Sequence, residues 1–134
     1  MTFYARSFFP PCLKKVSKNR QFVSVSTNGT IFEYSRESQL IFVGGVPRSG
    51  TTLMRVLLDA HADVRCGEET RIIPKLLDAH TRWRKTVNDT VMLEEAGVDT
   101  DIMNSAMASF ILDIIVQHGE PSPILCNKVN FGRL

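Results

Sequence analysis

The feature that most constrains this chain is the run IFVGGVPRSGTTLMR at residues 41–55. Ile41, Phe42 and Val43 form a short apolar, β-prone stretch, which Gly44, Gly45, Pro47 and Gly50 interrupt before a helical pattern opens at Thr51. The order is strand, tight loop, helix. Such a junction suits phosphate: glycines let the backbone come close to an anion, while the unpaired N–H groups and the positive dipole end of the helix face it.

Gly45 and Gly50 keep the spacing of the loop GxxxxGK[ST], but Thr51 stands where the lysine belongs. Nucleotide triphosphatases use that lysine on the β and γ phosphates. Its replacement points to another phosphate ligand, with Arg48 as the nearest cation, and weighs against a P-loop kinase or nucleotidase, which stays as an alternative.

The rest of the chain reads as one α/β domain around this junction. Its 134 residues, 43% of them hydrophobic, suffice for a core. A net charge of +2 is too small to argue for nucleic acid, and no stretch has the roughly 18 apolar residues of a membrane helix. Residues 1–40 lack sustained periodicity and are expected to be an irregular arm, with at most a marginal strand at residues 21–25. Five basic residues (Arg6, Lys14, Lys15, Lys18, Arg20) precede the first acid, Glu33. That composition fits a transit peptide less well than a non-standard first exon or incomplete gene model.

After the loop, Leu53, Met54, Val56, Leu57 and Leu58 predict a helix over residues 51–60 with a broad apolar side. A strand at 63–66 follows, then a helix with Pro74 in its first position, a short helix at 91–96 ended by Gly97, and a long helix at 100–118 capped by Asp99. In the long helix Ile102, Met103, Ala106, Met107, Phe110, Ile111, Ile114 and Ile115 form the predicted core stripe. Residues 124–126 make a buried strand. The expected fold is a P-loop-like parallel sheet flanked by helices, with its ligand crevice at the carboxyl ends of the strands.

Beyond the loop, Glu68 and Glu69 are adjacent carboxylates whose side chains diverge on a strand or a helix, so one can serve chemistry while the other caps or is solvated. No CxxC or paired His/Cys spacing argues for a metal. On residue type alone Glu69 reads as a solvated acid at a helix start and Lys128 as an exposed lysine.

VPRSGTT at 46–52 resembles the 5′-phosphosulfate loop of sulfotransferases, and the similarity runs on through CGEETR at 66–71 and HGEPSPILCNK at 118–128. Together these motifs resemble the tyrosylprotein sulfotransferases from residue 41 to 128. The resemblance implies a donor, 3′-phosphoadenosine 5′-phosphosulfate, and an acceptor, a tyrosine in an acidic segment of a secreted or membrane protein, with no metal. It assigns Glu69 as base, Arg48 and Lys128 as cations at the transition state, and Arg48, Ser49, Gly50, Thr51 and Thr52 to the donor phosphate. Arg71, Ile72, Ile73, Pro74 and Lys75 match the peptide-contacting segment, where the two cations complement acidic substrate and the isoleucines offer backbone to an extended peptide or simply pack.

Family members are Golgi enzymes with an N-terminal membrane anchor, absent from this sequence, and they tend to form homodimers. The resemblance also pairs Cys66 with Cys126; in a reducing compartment they would be two buried thiols. Asn28-Gly29-Thr30 and Asn88-Asp89-Thr90 are glycosylation acceptor patterns. After Lys128 the sequence does not continue as NKDPF, so residues 129–134 read as a divergent tail. With the short length, this sets the expectation of a truncated or alternatively spliced form with an incomplete sheet. An inactive form that at most binds nucleotide or a full-length subunit is the corresponding alternative.

Overall fold

The computed structural model describes residues 2–4 and 23–130. Strands β1 (Thr2–Tyr4), β2 (Val23–Thr27), β3 (Thr30–Tyr34) and β4 (Leu40–Gly45) are followed by helix α1 (Thr51–Asp59) and strand β5 (Val64–Arg65). Helices α2 (Ile72–Lys85), α3 (Val87–Glu95) and α4 (Thr100–Gln117) then lead to strand β6 (Ile124–Asn130). The main sheet has the order β1-β4-β6-β5; β4, β6 and β5 run parallel, and β1 pairs antiparallel to β4. This is the helix-flanked parallel sheet expected.

Alternation along the strands divides the core between two faces. On one face Leu40 and Leu125 pack with Tyr34, Ile73, Ile111, Leu112, Ile115 and Val116, and Phe42 joins them. On the other, Val43, Cys66 and Cys126 meet Met54 and Leu58 of α1, with Ile41 and Val64 alongside. The connection leaving β4 goes to one face through α1, while the path leaving β5 goes to the other through α2 and α4. A crevice at the carboxyl ends of the strands lies where those connections part.

Several expectations are corrected. Residues 23–40 are not an irregular arm: β2 and β3 form an antiparallel hairpin with Thr27 opposite Thr30. Its two-residue turn, Asn28-Gly29, has φ of 48° and 79°, the backbone that matches strand twist and that Asn-Gly supplies at least cost. Val23, Val25 and Phe32 pack against the core, and the Tyr34 hydroxyl donates to Ser122 O (2.8 Å) and accepts from Ser122 N–H (2.9 Å). The marginal strand at residues 21–25 falls partly outside the described residues, as do the basic cluster of the N-terminal arm and residues 131–134. The tail boundary also moves, because β6 runs through Val129, 3% exposed, to Asn130.

Helix α1 lays only Met54 and Leu58 on the sheet; Leu53, Val56 and Leu57 are 65%, 47% and 59% exposed. One straight helix turns a single i, i+4 stripe to a flat sheet, narrower than its apolar content. In α4 the buried set is Met107, Ala108, Ile111, Leu112, Ile115 and Val116, while Ile102 and Phe110 stay exposed. The core side is thus turned by about one residue from the predicted stripe. Asp99 caps α4 as expected, its Oδ1 accepting from Ile102 N–H at 2.8 Å. Helix α2 opens at Ile72, so Pro74 is its third residue, still within the turn where a missing N–H costs nothing. Among the described residues no helix is long and apolar enough to cross a membrane.

Candidate active site

The site is assembled at the carboxyl ends of β4, β5 and β6. From β4 the chain enters the loop at Val46, where Ser49 N–H bonds back to Val46 O at 3.2 Å. The turn requires two left-handed residues, Arg48 (φ 67°) and Gly50 (φ 81°). A Cβ at Gly45 would collide with Ser49 Oγ and lie 2.9 Å from Thr51 Cγ2, so glycine lets the loop fold down on itself. The first helical bond of α1 is Met54 N–H to Gly50 O. The N–H groups of Thr51, Thr52 and Leu53 therefore precede the helical ladder and point out of the helix start. The Thr51 side chain is buried at 4% exposure, which leaves its N–H as the group it can offer a ligand. Arg48, Ser49 and Thr52 are exposed.

Lys128 sits opposite Val43 in the β4–β6 register. Two residues beyond Cys126, it emerges on the face that α1 covers. Its Nζ donates to Thr52 Oγ1 at 3.1 Å and stands 3.3 Å from Glu69 Oε2. Glu69 and Lys128 side chains are 14% and 11% exposed, so this pair is screened from solvent far more than a surface ion pair. Three residues far apart in sequence, each read as functional, thus share one contact network.

The adjacent carboxylates take different partners. Glu68, 81% exposed, reaches Arg55 (3.1 Å), and Arg55 also faces Asp59 (3.7 Å). Asp59 Oδ1 accepts from Cys66 N–H at 2.7 Å. Arg55 and Asp59 therefore tie the segment carrying Glu69 to α1, a positioning role not foreseen from sequence. The available signal was their opposite charges at i, i+4 on the first helix. Cys66 and Cys126 are disulfide-bonded, joining the β5 exit to β6 below Lys128. Burial lowers the pKa of Arg65, with partial compensation from Tyr34, Asp59 and Glu120. Its guanidinium caps α4 by donating to Ile115 O and Val116 O.

Within the segment at 71–75, Ile72 to Lys75 form the start of α2. Arg71 is the left-handed residue before α2 (φ 56°) and is exposed, as is Lys75. The Ile73 side chain is core at 4% exposure and Ile72 packs against that core, with Pro74 half-buried. The Ile73 side chain is thus committed to packing, while Ile72 packs on the core with part of its side chain and stays half-buried. Asn28 at the hairpin tip and Asn88 in α3 are exposed.

Comparison with known proteins adds a family match and three relatives. A family model described as "Sulfotransferase family" matches residues 40–132. The "Protein-tyrosine sulfotransferase" of Drosophila melanogaster is 50% identical over 128 aligned residues, covering 89% of this chain and 26% of its own length. "Protein-tyrosine sulfotransferase 1" of Homo sapiens is 45% identical, covering 97% of this chain and 38% of its own, and "Protein-tyrosine sulfotransferase 2" of Gallus gallus is 53% identical, covering 85% and 31%. The chain spans between 26% and 38% of the length of these curated relatives.

Proposed function

The chain belongs to the sulfotransferase family, and from that premise we propose that it carries the donor-phosphate loop and the acid–base pair of a protein-tyrosine sulfotransferase. The donor is 3′-phosphoadenosine 5′-phosphosulfate, and the acceptor is a tyrosine in an acidic segment. The observation that carries the reading is the position of Lys128, held between Thr52 at the phosphate-loop helix and Glu69 beside it.

The loop residues fit the phosphate end of the donor. Gly45 keeps the loop closed, and Thr51 and Thr52 offer N–H groups at a positive helix end. Ser49 and Gly50 would complete the cradle, and Arg48 would add charge. When bound, the donor supplies an electrophilic sulfur and a phosphate leaving group. Glu69 accepts the phenol proton as the phenol oxygen bonds to sulfur and the bond from sulfur to the phosphate oxygen breaks. Lys128 and Arg48 balance the charge that moves onto the leaving phosphate. Arg71 and Lys75, both exposed cations beyond Glu69, attract acid residues flanking the tyrosine. The disulfide supports an oxidising compartment, consistent with a Golgi lumenal site for this reaction.

Three measurements on the chain test the reading together: transfer of labelled sulfate to an acidic tyrosine peptide, calorimetric binding of 3′-phosphoadenosine 5′-phosphate, and phosphate release from ATP. Transfer establishes the enzyme. Binding without transfer marks a chain that holds the donor alone, and phosphate release from ATP would replace the reading with a kinase or nucleotidase.

A further inference from the structure

A groove opens on the α4 side of the segment that carries Glu69. It is an open groove of about 320 Å³, lined by Thr70, Ile72, Asp113, Ile114, Gln117 and His118. That volume is in the range of small-ligand sites. Ile72 and Ile114 supply apolar surface, while Gln117 Nε2 donates to Asp113 Oδ1 at 2.7 Å and holds the carboxylate in place on the outer side of α4. The groove is continuous with the Glu69 segment in two ways. Thr70, the residue after Glu69, is one of its walls. His118, another wall, packs so closely on Gly67 that a Cβ there would lie 2.9 Å from His118 Nδ1.

We propose that this groove is a specificity subsite for the acceptor peptide: it takes one apolar side chain near the tyrosine and disfavours an acid there. The proposal rests on the reading of Glu69 as the base beside the tyrosine. Thr70 follows Glu69 directly in the chain and borders the groove, so a peptide whose tyrosine reaches Glu69 runs past the segment that forms this wall. The charges around Glu69 are asymmetric. Arg71 and Lys75 are exposed beyond it along the chain, whereas Asp113 stands at the groove. An acidic substrate is therefore attracted by the α2 start and repelled at α4, which selects a peptide that is acidic except at one position. Closely placed like charges are among the stronger sources of discrimination at an interface.

The test is a fluorescence-polarisation series on the whole chain. The probes are labelled peptides with a central tyrosine in an aspartate background, in which a single leucine is moved through each position from three before to three after the tyrosine. At one position, or two adjacent ones, leucine should bind about fivefold more tightly than aspartate, the gain expected for partly burying one aliphatic side chain. Asp113→Asn should weaken that preference by strengthening the all-aspartate peptide, and Ile114→Ser should weaken it by loosening the leucine peptide. Thermal melts close to that of the unsubstituted chain would show that both variants fold. Binding that is independent of leucine position, or a preference that survives both variants, overturns the subsite but leaves the acceptor reading intact. Failure of every peptide to bind overturns both.

Discussion

Lys128 Nζ stands 3.3 Å from Glu69 Oε2, and the two side chains are only 11% and 14% exposed. Each screens a charge that the other would leave nearly buried. Lys128→Met should therefore cost about 2 kcal/mol, because the carboxylate loses its cation and stays largely out of water. Glu69→Gln should cost less, since its amide oxygen still accepts from Lys128. The double variant should be more stable than the sum of the singles predicts, by about 1 kcal/mol. Urea unfolding of the four proteins measures this directly; additivity would mean that the contact does not persist in solution.

The two loop glycines should fail for different reasons. Gly45→Ala places a methyl on Ser49 Oγ and 2.9 Å from Cγ2 of the buried Thr51, so Ser49 must turn and Thr51 must shift at the helix start, and affinity for 3′-phosphoadenosine 5′-phosphate should fall by about tenfold while the melt changes little. Gly50→Ala meets nothing within 4 Å but must hold φ near +81°. It should lower stability by about 1 kcal/mol and affect nucleotide binding less. Calorimetry beside a thermal melt separates the two, and equal loss of affinity in both variants would contradict the steric account of Gly45.

What was legible in the sequence followed from local chemistry. The loop at 44–50 and the Asp99 cap declare themselves because glycine and aspartate satisfy specific backbone needs. One local signal carries more than its glycosylation pattern: Asn28-Gly29 between alternating Val23, Val25 and Phe32, Tyr34 also signals a hairpin. The facing side of α4 was not legible in the same way. That helix is apolar around most of its circumference, so its periodicity does not select a side, and packing against Tyr34, Leu40 and Leu125 decides. The contact of Lys128 with Thr52 and Glu69 depends on β6 lying between β4 and β5. Strand order is a tertiary outcome that no short motif states.

Tyr34 tests whether the hairpin belongs to the domain. Its hydroxyl both donates to and accepts from the backbone of Ser122, and the side chain is 4% exposed. Tyr34→Phe keeps the ring but leaves a buried carbonyl and N–H without that partner, at a cost of about 2 kcal/mol. A hairpin that were a loose attachment would show no shift in the urea midpoint. Hydrogen exchange at Ser122 N–H should quicken in the variant, because the amide loses the acceptor that protects it.

The disulfide couples fold to site. Cys66 and Cys126 are separated by 60 residues, and closing a loop of that length restricts the unfolded chain by about 4 kcal/mol in the chain-entropy model. Cys66 precedes Glu69 by three residues and Cys126 precedes Lys128 by two, so opening the bridge also loosens the two supports of the ion pair. Cys66→Ala with Cys126→Ala should lower the urea midpoint sharply and reduce the Glu69–Lys128 coupling energy measured in the same background. Both sulfurs are enclosed, with the residues 0% and 3% exposed. Dithiothreitol should therefore act slowly on the folded chain and quickly once urea opens it, since thiol exchange requires access to sulfur. Mass-spectrometric counting of alkylated thiols against time, at low and at midpoint urea, gives both rates. Equal rates would show that the bridge region opens without unfolding, and the bridge could not then hold Glu69 and Lys128 in register.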